Sequence, residues 1–329
     1  MKIHLVPRLL AACLTFFLVT SADARQFSAN LSGPSLGYVW DAGEGKLRPL
    51  LGIVGNALIG EPVDLGFGIT NAVALDGRHF LAATDADDVL RFIDLETNPI
   101  SITKLDAPAG FSLAAGSRRA LAAALYDPDQ RSIVVVTGLP SRPGVAHRID
   151  VSALGGPLTQ IAIGDDGNSL VFALSDAERD SLYGWTPASG YRVLTVAESV
   201  SGVALAPNGD AIVADSKANE IFAIIDPQRW AVRRPLANGQ DGISSPVGVT
   251  VSASNQIYVA NAGAGAIMKF DSTGRLLRTE ICNCEPSGLY PLRDSLYMLS
   301  NRTDQIIFLM ETRASGERIA FVPALHTNQ

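Results

Sequence analysis

Only three cysteines occur among the 329 residues, too few for a scaffold built on disulfides. Aromatic residues reach 7% and charged residues 18%. Positive charge is the scarcer sign. The 26 Lys and Arg face 33 Asp and Glu, a net charge of −7, which argues against a nucleic-acid partner. No apolar run attains the ~20 residues that a membrane-spanning helix requires. Also missing are a G-x-S-x-G elbow, a phosphate-binding loop and a dinucleotide fingerprint. What is present is 47% apolar residues with 30 Gly and 18 Pro. That composition buries a large core and excludes a disordered chain.

Residues 1–24 read as an address. Lys2 and Arg8 supply a positive start, Leu9 to Val19 an apolar stretch, and Ala22-Asp23-Ala24 a small-x-small cleavage pattern. A secretory signal peptide cleaved before Arg25 is expected, with a periplasmic or secreted mature chain of 25–329. The mature chain then holds 24 basic and 32 acidic residues, a net charge of −8. Leu10-Ala11-Ala12-Cys13 looks like a lipidation site, but only two apolar residues separate Arg8 from Ala11. The strongest apolar run would fall after the cut, so lipidation at Cys13 is not expected.

Six turn signals recur through the rest: Asp76-Gly77, Gly116-Ser117, Asp166-Gly167, Asn208-Gly209, Ser254-Asn255 and Arg293-Asp294. Their spacings run from 39 to 50 residues and average about 43, the period of a four-stranded propeller blade. A short apolar run precedes each turn, and two more follow it. The fourth run is more polar, as at Arg192 to Val196, Arg275 to Glu280 and Arg318 to Pro323. Inner strands packed on both faces read as continuous apolar runs, whereas an outermost strand is half solvated. The pattern predicts an all-β propeller in a single domain. Leu36 to Asp41 resembles a third strand and Lys46 to Leu51 a fourth, with no first or second strand before them. That hairpin either makes a partial seventh blade or covers an edge of a six-bladed ring. The expectation is six complete blades plus the hairpin at the closure seam, where it shields an open strand edge.

Pro246 to Arg278 (PVGVTVSASNQIYVANAGAGAIMKFDSTGRLLR) resembles an NHL-type propeller repeat. Pro246, Gly248, Ile257, Tyr258, Val259, Asn261, Ile267, Phe270, Asp271 and Gly274 fall on that pattern. Residues 201–227 are similar, and also resemble the YVTN-type repeats. The likeness is clear over these two blades and weak over the rest. It implies the fold and leaves the activity open, since such propellers host binders, hydrolases and lyases.

Blade geometry sorts the loops onto two faces. Loops leaving the fourth strand share a face with loops that join the second strand to the third. First-strand entries at Asn71, Ser201, Val247 and Ser287 therefore lie beside second-strand ends at Asp85, Asp215, Asn261 and Asn301. The polar members of this ring (Asn71, Asp85, Ser201, Asp215, Asn261, Ser287 and Asn301) are candidate ligand-binding residues. The alternative is that Asp and Asn at strand ends bond nearby backbone N–H groups and close their loops. Lactonase-like six-bladed propellers hold a divalent cation with Glu, Asn and Asp side chains at such entries. Here only Asn71 is a ligand of that type, and a hard cation needs several oxygens. No metal site, cofactor or catalytic set is read, and His79, His147 and His326 fit no triad spacing.

Cys282 and Cys284 flank Asn283, just before Ser287. In an oxidising compartment a local disulfide clip is expected. A redox-active pair or half of a soft-metal site are the alternatives. The resulting expectation is an exported, non-catalytic, monomeric propeller binding a protein, peptide or glycan at the channel mouth. A hydrolase or lyase with its site on the same face is the competing expectation.

Overall fold

A computed structural model describes residues 34–84, 89–176, 178–293, 295–313 and 316–324. The expected signal peptide, Cys13, Asp85 and His326 lie outside the described residues. The described residues fall in one compact unit, 33–329. Among them no helix is long and apolar enough to cross a membrane.

Seven antiparallel sheets follow one another along the chain, six of four strands and one of three. They span 35–59, 69–108, 113–150, 158–197, 200–237, 246–281 and 290–322, and are numbered here as blades one to seven. Two single-turn 3-10 segments, Gly239–Asp241 and Ala262–Ala264, are the helical content of these residues.

The burial gradient along each blade follows its sequence. Second strands such as Ala122–Asp127 and Ile257–Asn261 are buried at every residue. Fourth strands such as Leu276–Ile281 are largely exposed. Small central residues let the sheets approach, and Phe80, Phe92, Phe172, Phe222 and Phe270 fill the spaces between them. Full burial of one such ring stabilises by roughly 1.5–3 kcal/mol.

Seven apolar clusters result, one for each neighbouring pair of blades. Leu36, Val39 and Leu50 of blade one pack on Leu292, Leu309 and Val322 of blade seven. Leu47 of blade one packs on Ile69 and Phe80 of blade two. These two clusters close the ring, and the molecule is a seven-bladed β-propeller.

The six complete four-stranded blades are observed, and the N-terminal hairpin, extended by one more strand, forms a three-stranded seventh blade rather than a cover on a six-bladed ring. Blade one consists of β1 (Ser35–Asp41), β2 (Lys46–Ile53) and β3 (Asn56–Ile59). The strand missing from the sequence reading is β3. Its four residues are half-buried or exposed, and Gly55 turns the chain into it at φ +91°. The strand positions also shift by one. The Ser35 carbonyl accepts from Arg293 Nη1 (3.4 Å), beside the first turn of blade seven. Asp41 accepts from Thr303 Oγ1 (3.3 Å), in the loop between the second and third strands of the same blade. So β1 runs in the second-strand direction, and β2 and β3 are third and fourth.

Blade one thus lacks a first strand, and a turn of blade two occupies part of the gap. Tyr38 N donates to Gly77 O (2.6 Å), and Gly77 N donates to Leu292 O (2.9 Å). The turn bonds to blade one on one side and to blade seven on the other. Only glycine fits there, because a Cβ on Gly77 would lie 2.2 Å from Leu292 O.

Candidate functional site

Inner strands of six blades, together with β1, surround a channel of about 980 Å³. Several first strands carry a bulge near their entry, between Ile69 and Asn71, Leu158 and Gln160, Val200 and Gly202, and Pro246 and Gly248. A bulge bends the strand and re-aims the side chains beside it. The inner strands then converge tightly. A Cβ on Gly202 would sit 2.9 Å from Val249 N, and one on Gly248 would sit 3.2 Å from Gly288 Cα.

Four of the sequence-selected residues line this channel: Asn71, Ser201, Ser287 and Asn301. Asn71 Nδ2 donates to Phe111 O (3.0 Å) across the seam to the next blade. Ser201 Oγ lies within bonding distance of Pro246 O (2.6 Å) across its own seam. Ser287 is exposed, and its carbonyl accepts from Tyr290 Oη (3.4 Å). Asn301 is exposed.

Asp215 and Asn261 sit elsewhere, 1% and 0% exposed. The Asp215 carboxylate accepts from the backbone N–H groups of Glu198 (2.7 Å), Ser199 (3.0 Å) and Ala218 (3.0 Å). Asn261 Oδ1 accepts from Ser244 N (2.7 Å), while its Nδ2 donates to Gly242 O (2.8 Å) and reaches Met268 Sδ (3.1 Å). Both side chains tie a loop that leaves one blade to the strand of the next. Cys282 and Cys284 are joined by a disulfide. It lies immediately before the Ser287 entry, and Cys282 N donates to Gly265 O (3.0 Å).

Three aromatic residues complete this mouth: Trp40, Phe111 and Tyr290. Composition and turn spacing do not reveal them. Trp40 reaches the channel because blade one has no first strand in front of it. No charged side chain lines this mouth among the described residues.

The opposite mouth differs. His79 is 8% exposed there and stacks on Phe92, with ring centroids 5.8 Å apart. Its Nδ1 lies 3.0 Å from the Asp76 carboxylate, and its Nε2 lies 3.5 Å from Asp94. Burial is the largest single influence and disfavours the imidazolium. The Asp76 hydrogen bond and the charges of Asp76 and Asp94 together outweigh it, and the pKa rises above its ordinary 6.5. The sequence reading of His79 as an ordinary residue beside a turn missed this arrangement, because Asp94 is 15 residues away in sequence. Among the described residues no three His, Cys, Asp or Glu side chains converge as a metal set.

No family model and no curated protein matches the chain. Solved structures do. A chain of a nidogen/laminin complex is 18% identical, with 76% of this chain and 99% of that one covered at a TM-score of 0.51. A catalytically inactive virginiamycin B lyase from Staphylococcus aureus, solved with quinupristin, is 12% identical, with 90% and 97% covered at 0.52. A streptogramin B lyase is 14% identical, with 81% and 90% covered at 0.52. At these identities the likeness establishes the fold. The chain is a propeller repeat protein, and its neighbours include both a protein-binding assembly and enzymes.

Proposed function

We propose that this chain is an exported, monomeric, non-catalytic propeller of the NHL type that binds a protein, peptide or glycan at the channel mouth lined by Asn71. The observation that carries this reading is the makeup of that mouth. The half-buried rings of Trp40 and Tyr290, with buried Phe111 behind them, stand beside uncharged amide and hydroxyl groups (Asn71, Ser201, Ser287, Asn301) around an open channel. Rigid aromatic surface with a few placed polar groups suits a neutral segment of peptide or sugar. Ser201 and Asn71 keep free acceptor capacity while bridging blades, so they serve as both clasp and contact. Asp215 and Asn261 act behind them by holding the loops that shape the rim.

The test is panning of the purified protein against glycan and peptide arrays, followed by titration of the best binder. Trp40→Ala and Asn71→Ala should each weaken binding by about tenfold or more, which corresponds to ~1.4 kcal/mol. Unchanged affinity in both variants would reject the mouth as the binding face. Turnover of the bound ligand, lost in the same variants, would replace the binding role with a hydrolase or lyase role.

A further inference from the structure

Every charged side chain lining the channel among the described residues gathers at the mouth opposite Asn71. Four are arginines: Arg78, Arg118, Arg119 and Arg293. They come from first-to-second-strand turns of blades two, three and seven. These turns are contiguous. The Gly77–Leu292 hydrogen bond (2.9 Å) sets Arg78 beside Arg293. Gly116 abuts Leu75, where a Cβ would lie 2.9 Å from the Leu75 carbonyl, and this sets Arg118 and Arg119 beside Asp76.

The carboxylates near this arc are already engaged. Glu96 pairs with Arg78. Asp165 accepts from Arg118 Nη2 (3.2 Å) and from Arg119 N (2.9 Å). Asp76 accepts from His79 and from the backbone N–H groups of Arg78 (2.8 Å) and His79 (2.9 Å). Two guanidinium groups are left without a carboxylate among the described residues. Arg119 is exposed, with no side-chain acceptor. Arg293 is exposed and touches only the Ser35 carbonyl (3.4 Å).

The local excess is positive on a chain whose net charge is −7. A planar guanidinium is suited to two-point binding of an oxyanion. Behind the arc the channel wall turns apolar, with Val73, Leu113, Val203 and Leu205 half-buried against the open space.

We propose that this end of the channel is a second binding site, for an amphipathic organic anion. Its oxyanion head meets Arg119 and Arg293, and its apolar body lies along Val73, Leu113, Val203 and Leu205. The site is separate from the Asn71 mouth and does not depend on what binds there. Its ligand class follows from the charge at the rim and the apolar wall beyond it. The head group is a carboxylate or a phosphate, which share this chemistry.

Calorimetric titration of the purified protein with octanoate, octyl phosphate and octylamine at low ionic strength tests the site. Saturable binding of one or both anions and none of the amine is expected, and the preferred anion identifies the head group. Arg119→Gln and Arg293→Gln should each weaken the anion by about tenfold, and the double variant by about a hundredfold. Thermal melting confirms that the variants are folded, and each single variant is read separately should the double variant unfold. Absence of binding by both anions, equal binding of octylamine, or affinity unchanged in the folded arginine variants would each overturn the proposal.

Discussion

Asp215 and Asn261 show how a polar side chain at a strand end becomes part of the framework. Each is almost completely buried and satisfies two or more backbone groups of a loop. Removing one partner leaves buried N–H and C=O groups unpaired. Asp215→Ala and Asn261→Ala should each lower stability by roughly 1–3 kcal/mol, read as a reduced midpoint in urea unfolding. His79 adds a pH dependence. Its pKa is raised in the folded state, so its charge contributes stability that is complete below the ordinary value of 6.5 and is lost as pH rises through the raised value. Unfolding midpoints measured from about pH 5 to about pH 9 should fall across that window in the native chain. His79→Gln should flatten this part of the profile; an unchanged slope would assign the effect to another group. At this scale the sequence was partly legible. Strand-end position located Asn71, Ser201, Ser287 and Asn301 at the mouth. It could not tell them from Asp215 and Asn261, because the distinction depends on whether a loop 16 or 17 residues upstream folds back over the side chain.

At the scale of the element, the first-to-second-strand turn of blade two is the unusual part. It follows the same sequence pattern as the other turns, yet it also bonds to β1 and to blade seven. Gly77 fits against Leu292 O only because it has no Cβ. Gly77→Val should therefore destabilise by roughly 1–3 kcal/mol through overpacking, measured by thermal or urea unfolding, whereas the same change at exposed Gly155, where a Cβ meets open space and the backbone is not left-handed, should cost less. A Gly77→Val variant as stable as the native chain would show that the turn does not fill the seam. Fourth strands could be read from their polarity. β3 could not, because its apolar part is only the three residues Ala57-Leu58-Ile59 and no residue of the strand is fully buried, so it reads as a loop. The order of β1 and β2 was equally hidden. Both are buried at alternating positions and look alike as sequence. Only their contacts with Arg293 and Thr303 orient them.

For the whole molecule, closure is what makes a channel. Seven apolar seams hold seven sheets, and two of those seams belong to the three-stranded blade. The missing first strand leaves Trp40 facing the channel at one mouth. The turn that fills the rest of the gap brings Arg78 next to Arg293 at the other. Both proposed sites thus trace back to one irregularity in an otherwise regular repeat. The repeat period near 43 residues pointed to the propeller, but a blade without its first strand has no turn signal of that period and escapes the count. Hydrogen exchange read at the amides of Tyr38 and Gly77 tests this closure most directly, since each is bonded across the seam. Protection comparable to that of the second-strand amides at Val213 and Val259 is expected. Exchange as fast as at exposed Asn208 would mean that blade one does not close the ring, and the account of both mouths would be contradicted.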